Sequence, residues 1–404
     1  MNNDIKKAED RLKDVFASID EVCFYNSQKV LNAFWKENIS EMHFNSTTGY
    51  GYGDIGRDKI EDVFKDIFET EAALVRNQFI SGTHALSTAF FALLRPGDLL
   101  LSITGKPYDT LDSVIGFNDN PSSLKSFGIK YDQIDLVDNH FDYDAISNYL
   151  KNNKVKVIEI QRSIGYSNRK SIGIEDIKEV IRLVKGVDEN IIVMIDNCYC
   201  EFVGKFEPTQ VGADICVGSL IKNLGGGIAT NGAYIVGRKD LINLCSERLN
   251  VAGEASEVGP SLGANKMFLQ GLYMAPSVVA SAMKTSVLAA YLLEDMGYNV
   301  SPRWNEDRND IVLAITFNDK DKLIKFVEGI QMGSAIDANV TPVAADMPGY
   351  DDQVIMASGS FTQGSSIEIS CDGPLREPYI AYLQGGLTYE YGKIALMKAL
   401  EKIM

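Results

Sequence analysis

The chain has 404 residues, 45% hydrophobic, 23% charged and 9% aromatic, a make-up that suits one large globular domain plus a smaller one. Eleven prolines against 34 glycines exclude a disordered or linker-rich chain. With 55 acidic against 39 basic residues, a formal net charge of -16, and no dense Lys/Arg cluster, the sequence excludes a nucleic-acid reader and a surface drawn to anionic membranes.

The first segment, MNNDIKKAEDRLKDVF, reads as a charged amphipathic helix and lacks the apolar core of a signal peptide. Helices are expected over 5–20 and 27–37, then a turn-rich stretch at 46–57 and a long helix over 57–74. From there strands and helices alternate. Strands are expected at 75–80, 98–104, 154–161, 190–196, 213–220 and 232–237, with helices at 82–94 and 172–186. Short, fully apolar strands between helices predict a mostly parallel sheet covered on both faces, with ligands at the carboxyl ends of its strands. The apolar stretch 271–293 contains Pro276 and Lys284, so a core helix over about 276–297 is expected there and not a membrane span. Beyond residue 300 come strands at 311–317, 354–361 and 366–370 and helices at 320–330 and 378–402, the pattern of a smaller α+β domain. The acidic stretch 337–352 reads as a long loop that gates a site or meets a partner subunit.

Six cysteines without a CxxC are too sparse for a disulfide scaffold, and Cys198 and Cys200 suit buried packing better than redox chemistry. His43 and His140 have no ligand-spaced partners, so no metal site is expected. These features place the chain in the cytoplasm with its thiols reduced.

Four pieces fall at strand ends in a consistent order. SGTHA (81–85) opens a helix directly after a strand. It is either an ordinary N-cap or a turn whose N–H groups at Gly82, Thr83 and His84 hold a phosphate. Asp196 ends the most hydrophobic strand, where a carboxylate caps the next turn, binds a metal or ribose, or pairs with a protonated ring nitrogen. Lys222 lies in GSLIKNLGGG (218–227), an apolar, glycine-rich setting that would lower its pKa and make its amine a nucleophile or base. Three glycines at 225–227 would let the backbone pass close to a bulky ligand. Arg376 in SCDGPLREP is either a carboxylate clamp or a surface ion pair with Glu377 or another acidic neighbour.

Taken in order, SGTHA, Tyr108 in GKPYDT, MIDNCYCE and GSLIKNLGGG resemble a fold-type I pyridoxal-phosphate enzyme of the cystathionine/methionine gamma-lyase branch. Within it, GYGYGDIGRDKIE (49–61), IEIQRSIGYSNRKS (158–171) and FTQGSSIEISCDGPLREPY (361–379) look like the methionine gamma-lyase-like aluminium-resistance proteins. The resemblance implies an α/β, aspartate-aminotransferase-like fold: an N-terminal arm and cap (1–50), a large cofactor domain (51–298) and a small C-terminal domain (299–404). It implies pyridoxal 5'-phosphate joined covalently to Lys222, Asp196 on the pyridinium nitrogen, and Gly82, Thr83 and Ser219 on the phosphate, with His84 beside the cofactor. Tyr108 would stack on the ring and Arg376 would take the substrate α-carboxylate. Arg162, with Arg169 nearby, would approach the cofactor or substrate, and Tyr50, Tyr52 and Arg57 would reach a neighbouring subunit's site. A homodimer is then the functional minimum and a homotetramer the fuller assembly.

The reaction implied is a carbon–sulfur lyase: elimination from a sulfur amino acid to a 2-keto acid, ammonia and a thiol. The alternatives are aldol-type cleavage of a β-hydroxy amino acid, because GYGYGDIGRD looks more like the threonine-aldolase branch, and a cofactor-binding protein with a regulatory or stress role. A nicotinamide dehydrogenase is excluded for want of a G-x-G-x-x-G after an early strand.

Overall fold

The computed structural model describes residues 2–347, 350 and 352–404. Two helices, α1 (Asn2–Arg11) and α2 (Lys13–Lys36), open the chain, followed by α3 (Ile55–Phe68), β1 (Ala72–Arg76), α4 (Gly82–Leu93) and β2 (Leu99–Ser102). Next come α5 (Asp112–Ile115), β3 (Lys130–Gln133), α6 (Tyr143–Asn152), β4 (Val157–Gln161), α7 (Ile174–Val187) and β5 (Ile192–Asp196). Then β6 (Ile215–Ser219), β7 (Ala233–Gly237), α8 (Lys239–Leu249) and the long α9 (Ala264–Asp295) follow. The C-terminal part holds β8 (Asn299–Ser301), β9 (Leu313–Thr316), α10 (Lys320–Met332), β10 (Val354–Ala357), β11 (Ser370–Pro374), β12 (Ile380–Gln384) and α11 (Tyr389–Ile403).

The large sheet has the order β1-β7-β6-β5-β4-β2-β3. It is mixed: β3, β2, β4, β5 and β6 run parallel, and β7 lies antiparallel between β6 and β1. Its strands are apolar on both faces because both are covered. In β5, Val193 and Ile195 enter the core shared with α2, α3, α6, α7 and α9. Ile192 and Met194 enter the opposite core, against α4 and α8. The sheet is therefore the middle of three layers, and its polar groups gather where the apolar runs stop, at the strand ends.

The C-terminal sheet, β10-β11-β12-β9-β8, is antiparallel throughout. One face packs on α10 and α11, on the last turns of α9 and on Ile5, Ala8 and Leu12 from the N-terminus. The amphipathic start of the chain thus belongs to the C-terminal core. The α9 helix serves both cores, with Val278, Val279 and Met283 in one and Val287 to Leu293 in the other. It is long and apolar enough to cross a membrane, but 78% of its most apolar window is buried inside the protein.

Several expected boundaries move. The first two helices break at Leu12, a buried core residue, and not at 21–26, where no Gly or Pro interrupts EVCFYN. The helix expected over 57–74 stops at Phe68, because Glu69 turns left-handed at φ 51, and β1 starts at Ala72, ahead of the expected 75–80. The α9 helix begins at Ala264 and runs through Pro276, where a start was expected. The strand expected at 366–370 begins at Ser370, and β12 occupies the start of the helix expected from 378.

Candidate active site

Five segments end at one edge of the large sheet: β1 leading to Ser81, β2 to Tyr108, β4 at Gln161, β5 at Asp196 and β6 at Ser219. The convergence is close. A Cβ built on Gly82 would sit 3.3 Å from both Cys198 Sγ and Ser219 Cβ, so the α4 turn, the loop after β5 and the end of β6 meet at that glycine. At the α4 N-terminus Ser81 is the N-cap, and its hydroxyl accepts the His84 N–H at 3.0 Å. The first-turn N–H groups of Gly82 and Thr83 have no helical acceptor and sit at the positive end of the helix dipole. The Ser219 hydroxyl accepts the Ile221 N–H at 3.3 Å and keeps its own proton to donate. His84 plays a local part. Its N–H is held by Ser81, its Nδ1 accepts the Ile80 N–H at 3.2 Å, and its ring meets Phe79 edge-on.

Asp196 is buried at the end of β5, and its Oδ1 accepts the Cys198 N–H at 3.0 Å. Burial raises its pKa, opposed by Lys222, by that N–H and by Arg169. The Lys222 ammonium lies 4.0 Å from the centre of the Tyr199 ring, a cation–π contact. The downward pKa shift expected for Lys222 is not found. Burial lowers its pKa, but Cys198, Tyr199, Asp196 and Glu201 outweigh that effect and hold it above the usual lysine range. Cys198 and Tyr199 are themselves pushed up by burial and keep their protons at neutral pH. A raised pKa means that the lysine has to release a proton before it can act as a nucleophile.

The three glycines after Lys222 make room for protein and not for a ligand. A Cβ on Gly225 would sit 1.6 Å from the Leu220 carbonyl oxygen. One on Gly226 would sit 2.4 Å from the Gly271 carbonyl oxygen of α9, and one on Gly227 would sit 2.2 Å from Leu387 Cδ2. The lysine loop is thereby clamped between α9 and the segment that follows β12.

Tyr108 forms one wall. Its hydroxyl is 2.6 Å from that of Tyr350, and its ring meets Tyr166 edge-on. Tyr166 in turn packs on Tyr350 and Tyr382. Asp372 of β11 lies buried behind this cluster, with its carboxyl pushed up by burial to about 7. Tyr350 belongs to the acidic 337–352 stretch, of which positions 348, 349 and 351 lie outside the described residues.

The other anticipated residues are engaged with protein groups or exposed. Arg162 is buried, but its guanidinium is bound to Asn197 Oδ1 at 2.7 Å and to the Ile172 carbonyl, one layer behind Asp196. Arg169 holds the carbonyls of Gln161 and Ser163 at 2.7 and 2.6 Å. Arg57 staples the Gly51 and Gly259 carbonyls at 2.8 and 3.0 Å. Tyr50 and Tyr52 stack on one another and are 70% and 61% exposed. Arg376 is exposed and paired with Asp352 at 2.9 Å, the acidic-neighbour alternative raised above, while its Nη2 lies 3.4 Å from the Tyr166 carbonyl.

A family model described as methionine gamma-lyase matches residues 1–404. The chain belongs to the methionine gamma-lyase family. Its relatives cover the same span. A crystal structure from Listeria monocytogenes, 46% identical, covers all of both chains with a TM-score of 0.97. A carbon-sulfur lyase involved in aluminum resistance from Clostridium novyi is 48% identical, covering 99% of this chain and 95% of its own, with a TM-score of 0.95. The YnbB protein of Bacillus subtilis is 49% identical over 98% of this chain and 95% of its own.

The residues of this gamma-lyase family member suit pyridoxal phosphate. Helix N–H groups and a serine hydroxyl suit its phosphate, a buried carboxylate its pyridinium and a partly buried lysine its aldehyde. The Gln161 side-chain amide oxygen, Oε1, is buried at the same edge without a protein partner. Among the described residues no cluster of three metal-ligating side chains occurs. A cavity of about 950 Å³ at the far end of the strands, beside Arg95, Lys130 and Lys156, holds none of these groups.

Three site residues carry little sequence signal. Tyr199 adopts φ 72, unusual for an aromatic residue, and that conformation brings its ring under Lys222. Its place three residues after Asp196 is the only hint. Glu201 and Tyr350 become visible only once the chain is folded.

Proposed function

We propose that the chain is a pyridoxal-phosphate-dependent carbon–sulfur lyase in which Lys222 binds the cofactor and moves the substrate proton. The observation that carries this reading is the meeting of Gly82, Cys198 and Ser219 at one edge of the sheet, with Asp196 two residues before Cys198 and Lys222 three after Ser219. When bound, the cofactor supplies a ring that draws electron density from the substrate α-carbon. The protein does the rest. The N–H groups of Gly82 and Thr83 and the Ser219 hydroxyl hold the phosphate. Asp196 keeps a positive charge at the ring nitrogen, and Tyr108 holds the ring from its wall. The Lys222 amine takes the α-proton and returns it at a later carbon.

Arg376 receives the substrate α-carboxylate, which takes the place of Asp352 in the ion pair seen here. Replacing Arg376 by alanine should raise KM by roughly 10- to 100-fold, the loss of one charge-assisted pair. The same change should leave the cofactor spectrum intact, and steady-state kinetics with parallel absorbance spectra check both halves of that expectation.

Tyr50 and Tyr52 serve a neighbouring subunit's site in a homodimer, and dimers pair into a tetramer. Exposed Phe24, Trp35 and Phe44 on the same N-terminal part of the chain support that packing. The deciding experiment is product analysis with sulfur and β-hydroxy amino acids. A 2-keto acid, ammonia and a thiol uphold the reading, whereas glycine with an aldehyde replaces it by aldol cleavage.

A further inference from the structure

Both faces of the C-terminal sheet are buried, yet they differ in kind. On one, Cys371, Ala381 and Leu383 join the apolar core with α10 and α11. The alternate residues Ser370, Asp372, Tyr382 and Gln384 share the other face, where Ser370 pairs with Gln384 and Asp372 with Tyr382. All four are buried, Asp372 to 8% exposure. Gln384 Nε2 donates to Asp372 Oδ2 at 3.1 Å. This polar face adjoins the site. The Tyr382 ring lies 5.1 Å from that of Tyr166, which lies 5.6 Å from that of Tyr108. Ahead of β11, a Cβ on Gly364 would sit 3.8 Å from Ile221 Cδ1, and after β12 Leu387 meets Gly227. The Ser370–Gln384 end of the strand pair is therefore the one beside the lysine loop, with Asp372 about 7 Å further along β11. Asp372 Oδ1, Ser370 Oγ and the Tyr166 hydroxyl are buried without a hydrogen-bond partner among the described residues. Buried polar atoms are normally paired, so three open oxygens on one wall of a site mark where a ligand is held.

We propose that Asp372 sets the substrate preference of this site and that the side chain it selects ends in an ammonium. The proposal rests on the reading of the site as that of a carbon–sulfur lyase. All three open atoms can accept hydrogen bonds, and a primary ammonium has three to give. The carboxylate adds the matching charge, and a buried charge-assisted bond discriminates strongly against a methyl group of the same size. Tyr166 links the two ends of such a substrate: its ring packs beside Asp372 on Tyr382, and its carbonyl lies 3.4 Å from Nη2 of Arg376, the α-carboxylate clamp. Burial pushes the Asp372 carboxyl up to about 7, against the Tyr166 and Gln384 side chains, which pull it down. It is therefore mostly ionised at pH 8 and mostly protonated at pH 6. The titratable groups that face it are Tyr108, Tyr166, Tyr199, Tyr350, Tyr382 and Cys371. Burial pushes each of these up, so they keep their protons across that range.

The test is calorimetric titration of the holoenzyme with L-lysine and with L-2-aminoheptanoate. The two have side chains of equal length, one ending in an ammonium and the other in a methyl, and neither carries a sulfur to expel. At pH 8 the wild type should bind lysine at least about tenfold more tightly, the worth of one hydrogen bond to a charged group. Asp372→Asn keeps the shape, and its amide oxygen can still accept from Gln384. It should bring the two affinities within about threefold and leave that for 2-aminoheptanoate unchanged. If that variant does not fold, the wild type answers alone: its preference for lysine should shrink by about tenfold between pH 8 and pH 6, as the carboxyl takes up its proton. Equal affinities in the wild type at pH 8, a preference that survives in Asp372→Asn, or one that is constant with pH overturns the proposal alone. Product analysis with S-(2-aminoethyl)-L-cysteine and its homocysteine homologue should yield a 2-keto acid. None from either compound overturns the lyase reading and this proposal together.

Discussion

Lys222→Ala is expected to abolish the borohydride-sensitive visible band and to lower turnover by at least about 10³-fold, the loss of both the covalent link and the proton carrier. The fold should survive. The side chain lies over Tyr199, and the loop is held by other groups: Gly226 against α9, Gly227 against Leu387 and the Asn223 amide on the Glu201 carbonyl. Circular dichroism and a urea midpoint close to the wild type, together with the missing band, are the expected combination. A variant that keeps both the reducible band and turnover would remove the lysine from the mechanism.

Asp196→Asn is expected to cost roughly 10²–10³-fold in kcat/KM and to weaken cofactor retention. Its size follows from leaving a buried positive charge without its partner. Asparagine keeps the side-chain shape and can still accept the Cys198 N–H through its carbonyl oxygen, so the loop geometry should persist. What it cannot do is balance a charge at the ring nitrogen. The measurements are kcat/KM and the cofactor dissociation constant, followed in parallel; activity within threefold of the wild type would remove Asp196 from that role.

The sheet was legible in the sequence because its strands are buried on both faces. Runs such as IVMID, ICVGS and AYIVG are continuous apolar blocks that stop at a polar or small residue. Asp196 was singled out for the same reason, a polar group ending a buried strand; Lys222 was singled out by its apolar, glycine-rich setting just past β6, and Ser219 entered only with the family resemblance. The less apolar elements were missed. The edge strand β3, KYDQ, is half exposed, and α8, KDLINLCSERL, was passed over although it supplies Leu241, Ile242 and Cys245 to the core.

Arginines were the least readable. Arg57, Arg162 and Arg169 stand in motifs that resemble an active site, yet each guanidinium is tied to backbone carbonyls or to Asn197, holding up the shell behind the site. Residue type and spacing do not distinguish an arginine that binds a ligand from one that braces a loop. The pKa of Lys222 was misjudged for a related reason. Burial alone predicts a fall, but the groups that oppose it, Cys198, Tyr199, Asp196 and Glu201, stand 21 to 26 positions earlier in the chain and meet the lysine only through folding. The aromatic wall of Tyr108, Tyr166, Tyr350 and Tyr382 draws on four separate segments, and no local pattern marks it.

The α9 helix bears on how this protein can be dissected. Its first half backs the lysine loop and its last turns form a wall of the C-terminal core. A truncation after residue 298 would strand Val287, Leu288, Leu292 and Leu293 in water, along with Ile5, Ala8 and Leu12 at the other end of the chain. The two sheets therefore do not mark two separable modules. Fragments cut between them would carry an uncovered apolar strip at both termini and would be prone to aggregate.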